Sequence, residues 1–316
     1  MILHKDDIIF KDLLLSASLH LSIPLSFVEK DYWITLVLRR LAKSKYVDET
    51  VFKGGTSLSK GYNLIARFSE DVDIAIINEK DIKGNSIRNI IRNIEKEITS
   101  DLTEVQMDGV TSKGSRFRKS VFEYVTTEIS NLNNKLIVEI NSFANPFPYQ
   151  RLTIRSLLFD FLMQTGNEKY LELYNLQSFE VNVLSKEQTL LEKMVSLIRF
   201  SFKENTVESI SEKIRHFYDL YYLIQHPGCI EFVASDSFKK QFETLLNHDR
   251  EMFEEPTGWH TKSISESPLI KDFTNIWQHL KVKYQSELSA LAYRPIPDEN
   301  DVAKCFVDLL KRVSGY

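Results

Sequence analysis

An adjacent glycine pair, Gly54-Gly55, closes an apolar run in a chain that holds only ten glycines. Such scarcity marks the pair as placed for a backbone reason, either a tight strand-to-helix turn or a close approach of another group to the main chain. Thr50-Val51-Phe52-Lys53 before it reads as a strand, and Thr56 after it is placed to cap a helix reaching about Leu64. Free N–H groups at such a start form an anion seat, and two glycines let a phosphate come close to the backbone. Fifteen residues separate Gly55 from Asp71, which opens Asp71-Val72-Asp73-Ile74-Ala75-Ile76. In a strand, Asp71 and Asp73 point to one face while Val72, Ile74 and Ile76 point to the other. Two carboxylates so close are unfavourable unless a cation bridges them, and hard oxygen ligands select Mg²⁺, with Mn²⁺ as the alternative.

Neither element is specific alone. Gly-Gly-Thr is a common turn, and a D-x-D at a strand end is often solvated. Their order, strand, glycine pair, helix and then acidic strand, carries the reading. In Lys135-Leu136-Ile137-Val138-Glu139-Ile140-Asn141, Glu139 lies among apolar residues, where an uncompensated charge is costly. Either this is an edge strand with Glu139 in solvent, or Glu139 is a third acid turned toward the same metal site.

The 316 residues, 43% hydrophobic and 27% charged, suffice for one large domain or two ordinary ones and exclude a disordered or fibrous chain. Strands are predicted at TVFK, VDIAII, EVQM, SVFEYVTT, KLIVEINSF and FEVNVL, with a helix over about 80–100. Two helices precede them, about 5–20 and from Pro24 onward. Beyond Leu184 the period is helical. Leu190, Leu191, Met194, Val195 and Ile198 share one side, and Val207, Ile210, Ile214, Phe217, Tyr221 and Ile224 predict one helix over 207–225, ended by His226-Pro227-Gly228. Further helices are expected near 236–248, 269–293 and 299–313. The expected organisation is therefore a mixed domain over 1–184 and a helical domain over 185–316.

At these residues the chain resembles the DNA polymerase β-type nucleotidyltransferases, and KGGTSLSKGYNLIARFSEDVDIAI more specifically resembles the AbiEii/AbiGii toxins of type IV toxin-antitoxin and phage abortive-infection systems. Val28-Glu29-Lys30-Asp31-Tyr32-Trp33, Leu191-Glu192-Lys193 and Arg215-His216-Phe217-Tyr218-Asp219-Leu220 extend the resemblance. It implies an α+β fold, a polymerase β-like nucleotidyltransferase domain with a mixed sheet flanked by helices, followed by a helical domain that completes the site. It also implies that Asp71 and Asp73 bind Mg²⁺ with an NTP, joined by Glu139 as a third acid. Gly54, Gly55, Thr56 and Ser57 would hold phosphate, with Lys60, Arg67 and Ser69 as weaker phosphate-binding candidates. Lys193 would steady the triphosphate, and Asp219 would orient Lys193 or the acceptor. The residues by themselves allow a snorkelling Lys193 and a surface Arg215–Asp219 pair four residues apart. The acceptor implied is the 3′ end of tRNA, and the partner a cognate antitoxin encoded alongside. Nucleotidylation of a protein side chain and non-catalytic NTP sensing are the rival readings.

Charge and cysteine content narrow the setting. Forty Lys plus Arg against forty-four Asp plus Glu leave -4, which excludes a general nucleic-acid coat and confines any RNA contact to a patch. Lys113-Gly114-Ser115-Arg116-Phe117-Arg118-Lys119 is either such a patch, with Tyr149, Arg151 and Arg155 as extensions, or a solvated hairpin. Two cysteines form no disulfide framework or C-x-x-C pair, so a reducing cytoplasm is the expected compartment. No zinc site is expected from seven histidines lacking H-x-x-x-H spacing, and no apolar run approaches the roughly 18 residues of a membrane span.

Overall fold

All six runs predicted as strands enter one mixed sheet in the computed structural model, which describes residues 1–69, 71–78, 82–126 and 134–314. Lys80, Asp81 and Thr127, at the ends of predicted elements, and Glu70, within the quoted motif, lie outside the described residues. The strands are β1 (Thr50–Lys53), β2 (Asp71–Ile76), β3 (Thr103–Val105), β4 (Ser112–Lys113), β5 (Phe117–Glu123), β6 (Lys135–Asn141), β7 (Tyr149–Ile154) and β8 (Phe179–Leu184). Their order is β3-β5-β6-β2-β1-β8-β7, with β4 beside β5. β2 runs parallel to β6 and antiparallel to β1, and β1 runs parallel to β8. β7 carries little apolar alternation and had no prediction.

The pleat divides the sheet into two chemistries. Val72, Ile74, Leu136, Val138 and Ile140 are fully buried on one face. Helices α1 (Asp7–Leu21), α2 (Leu25–Lys43) and α4 (Gly84–Ile98) follow the expected pattern, and α2 and α4 pack on β6. α4 buries Ile87, Ile91, Ile94 and Ile98, a stripe at helical spacing that fixes which side meets the sheet. The other face carries Asp71, Asp73 and Glu139. Short helices α3 (Gly54–Lys60), α5 (Leu157–Gln164) and α6 (Lys169–Leu173) complete this compact unit, residues 1–62 and 68–184.

The second unit comprises residues 63–67 and 185 onward. Its helices are α7 (Lys186–Ser201), α8 (Thr206–Ser211), α9 (Ile214–Leu223), α10 (Pro227–Ala234), α11 (Ser237–Met252), α12 (Pro268–Lys271), α13 (Phe273–Leu291) and α14 (Glu299–Ser314). Residues 63–67 join it through a bridge of Arg67 with Ala292 and a 3.0 Å hydrogen bond from the Tyr293 N–H to the Ala66 carbonyl. The single helix predicted over 207–225 is two, α8 and α9. His226-Pro227-Gly228 does more than end a helix: Pro227 is the first residue of α10, and the His226 ring accepts from the Gly228 N–H. Among the described residues no single helix is long and apolar enough to cross a membrane.

Candidate active site

Strand register sets Lys53, Asp73, Glu139 and Lys119 opposite one another on β1, β2, β6 and β5. Directly opposed residues share a face, so this is one row of four charges across the sheet. Asp71 stands two residues along β2 on the same face. β6 is an interior strand, which removes the edge-strand reading of Glu139. Lys119 Nζ lies 3.6 Å from Glu139 Oε2. Desolvation, then the carboxylates of Glu139 and Asp71, push the Asp73 pKa well above the usual carboxylate range against the pull of Lys53 and Lys119. Among the described residues no three His, Cys, Asp or Glu are grouped to hold a metal unaided. The donor set nevertheless suits Mg²⁺: adjacent acids whose ionisation is opposed by one another gain from a dication, and this ion habitually takes further ligands from water and phosphate.

Gly54 explains part of the glycine pair. Its φ is +78°, and a Cβ there would sit 2.1 Å from Asp73 Oδ2. The carboxylate thus rests against backbone that only glycine leaves open. Gly54→Ala is expected to cost about 1–2 kcal/mol in backbone strain and to displace Asp73, lowering the melting temperature. An unchanged melting temperature in a thermal scan contradicts this.

The remaining candidates of this unit are tied into the scaffold. Gly55 lies in the first turn of α3. Thr56 is no cap, since Lys53 holds that position; its hydroxyl, inside α3, donates to the Asp71 carbonyl at 2.5 Å and fixes β2 against the helix. α3 also ends at Lys60, short of Leu64. Ser57 is buried and donates to the Gly54 carbonyl at 2.8 Å. Lys60 Nζ is 2.6 Å from Asp31 Oδ1, while Asp31 Oδ2 accepts from the Leu157 N–H at 2.7 Å. Asp31, within the buried Glu29-Lys30-Asp31 segment of α2, therefore clamps α3 and the start of α5. Ser69 is buried.

In the second unit, Arg67 donates through Nε and Nη2 to the two oxygens of Asp219 at 2.7 and 2.6 Å, and Lys193 Nζ reaches Oδ2 at 2.7 Å. Asp219 is 0% exposed. Burial alone would raise its pKa, but Arg67 and then Lys193 hold it well below the carboxylate range. The surface Arg215–Asp219 pair does not form; Arg215 Nε instead lies 3.1 Å from Glu287. Ser185 caps α7 by accepting from the Gln188 N–H, which anchors the helix bearing Lys193. His216, among Lys193, Lys213 and Arg67, is kept neutral by burial first and those cations next.

The basic segment 113–119 is divided by the pleat. Lys113 and Arg118 pair across β4 and β5 on the α4 side, while Phe117 and Lys119 face the acids. Arg118 meets Glu95, Lys113 meets Glu104, and Arg116 donates to the Ser142 carbonyl. Arg151 pairs with Asp48 and Arg155 with Asp160. Lys53 was missed from sequence; its place before the glycine pair was the one available signal. His216 was missed as well, although it lies inside a quoted motif.

Residues 36–302 match the family described as nucleotidyl transferase AbiEii toxin, type IV TA system. MenT4, a nucleotidyltransferase toxin from Mycobacterium tuberculosis H37Rv, is similar in structure at 17% identity and TM-score 0.54, covering 89% of this chain and 82% of its own. JHP933 from Helicobacter pylori is 16% identical over 92% of each chain, with TM-score 0.46. Curated protein sequences give no match. The mixed sheet flanked by helices is a polymerase β-like α+β fold, as expected. With most of its length matched, the chain belongs to the AbiEii family of nucleotidyltransferase toxins of type IV toxin-antitoxin systems.

Proposed function

We propose that this nucleotidyltransferase moves the nucleotidyl group of an NTP to the 3′ hydroxyl of a tRNA, with Mg²⁺ as its metal. The observation that carries the metal assignment is the placement of Asp73 beside Glu139 in the charged row, with Asp71 on the same face. Asp71 and Asp73 would hold the cation; when bound, it offsets charge at the phosphates. Glu139 is the candidate to take a proton. The acceptor oxygen attacks the α-phosphorus in line, a new O–P bond forms as the bond to the bridging oxygen breaks, and pyrophosphate leaves. The hydroxyl proton passes to the Glu139 carboxylate, whose other neighbour is the Lys119 ammonium. The glycine-pair backbone as a phosphate seat, Lys193 as a triphosphate contact and RNA as acceptor rest on family membership.

Incubating the protein with each labelled NTP, Mg²⁺ and total tRNA tests the reading. Label is expected in RNA for the intact protein and absent for Asp71→Ala. Label in protein instead of RNA selects the rival acceptor. Transfer that persists in Asp71→Ala removes the acids from the chemistry.

A further inference from the structure

On the face of the sheet opposite the carboxylates, α4 and the strands β3, β4 and β5 line a groove of ≈ 850 Å³. Its lining carries five cations against two carboxylates, Glu95 and Glu104, in a chain whose overall charge is -4. Both acids are already answered, by Arg118 and Lys113, each at 2.5 Å. That leaves Arg88, Arg92 and Lys96, exposed along α4 and with no ion-pair partner among the described residues. They succeed one another at four-residue steps, about 6 Å apart, a step comparable with that between phosphates along a strand.

We infer that this groove seats the phosphodiester backbone of the acceptor RNA, away from the reacting end. The inference rests on the RNA reading above. Charge complementarity selects a polyanion, and the donors select phosphate. The guanidinium forks of Arg88 and Arg92 and the amides of Asn85 and Asn89 are hydrogen-bond donors in a row. A protein partner would call for an apolar centre, whereas only Leu102 and Phe122 supply apolar side chains to the lining. Contacts far from the chemistry would contribute binding energy to a large acceptor and leave the carboxylate face to its 3′ end.

The test is fluorescence anisotropy of labelled tRNA on the full chain without NTP, across a salt series. Arg88→Glu/Arg92→Glu is expected to weaken binding at least ~10-fold, and Arg88→Gln/Arg92→Gln to flatten the salt slope by about 2, one for each lost phosphate contact. Both side chains are exposed, so the melting temperature should hold in each variant. Unchanged RNA affinity overturns the proposal, as does wild-type binding of polyglutamate as tight as that of tRNA, since the groove would then suit an acidic polypeptide. Label transfer is scored separately. Absence of transfer to RNA by the wild type defeats the acceptor reading, whereas transfer with an unaltered KM for RNA in the charge-reversed variant defeats the groove alone.

Discussion

Replacing Asp73 with asparagine is expected to lower nucleotidyl transfer by roughly 10³-fold while the melting temperature of the metal-free protein holds or rises. The two readouts should diverge because Asp73 costs the fold something. Burial, Glu139 and Asp71 all oppose its ionised form, and only Lys53 and Lys119 favour it. Asparagine keeps the shape against Gly54 and removes the repulsion. It also removes the charge that a phosphate-bound dication needs. A residue that merely braced β2 would show the reverse, lower stability with much of the activity kept. The check is labelled-NTP transfer beside thermal unfolding, with and without Mg²⁺. Mg²⁺ should raise the melting temperature of the wild type and raise it less in Asp73→Asn. Less than tenfold loss of transfer, or a melting temperature lowered by several degrees, removes Asp73 from the proposed role.

What could be read from the chain follows the distance over which each interaction acts. The helix over about 80–100 and the alternation of β2 are local patterns, and both appear where expected, α4 burying Ile87, Ile91, Ile94 and Ile98. β7 reads Tyr-Gln-Arg-Leu-Thr-Ile, with three exposed residues at its start, so a half-solvated strand at the sheet end left no apolar signature. The rhythm of Val207 to Ile224 continues across the break between α8 and α9 because apolar spacing does not record where the backbone turns. D-x-D announced two acids, but Lys53 and Lys119 enter their row only through register among four strands spread from residue 50 to 141. Its motif makes Arg67 only a weaker phosphate-binding candidate; its partner Asp219 is 152 positions away, beyond any periodicity.

That long-range partnership predicts the largest stability effect in the molecule. Asp219→Ala is expected to destabilise the second unit by about 3–5 kcal/mol, because it takes the shared carboxylate from two buried cations rather than deleting one contact. Arg67 is 3% exposed and Lys193 6%, so water cannot replace the carboxylate without opening the packing. The single substitutions on the other side should rank below it. Lys193→Met leaves Asp219 held by both arms of the Arg67 fork, and Arg67→Met leaves it with one ammonium. Replacing all three by apolar residues of similar size should recover much of the loss, since the desolvation cost disappears with the charges. The pH dependence has a definite sign. The folded pKa of Asp219 lies below its unfolded value, so its contribution is complete above the unfolded carboxylate pKa near ~4 and is lost as pH falls through the folded pKa. Denaturant melts of the full chain from neutral to acid pH read both effects. A change below ~1 kcal/mol in Asp219→Ala would show that the triad is not what anchors the segment 63–67.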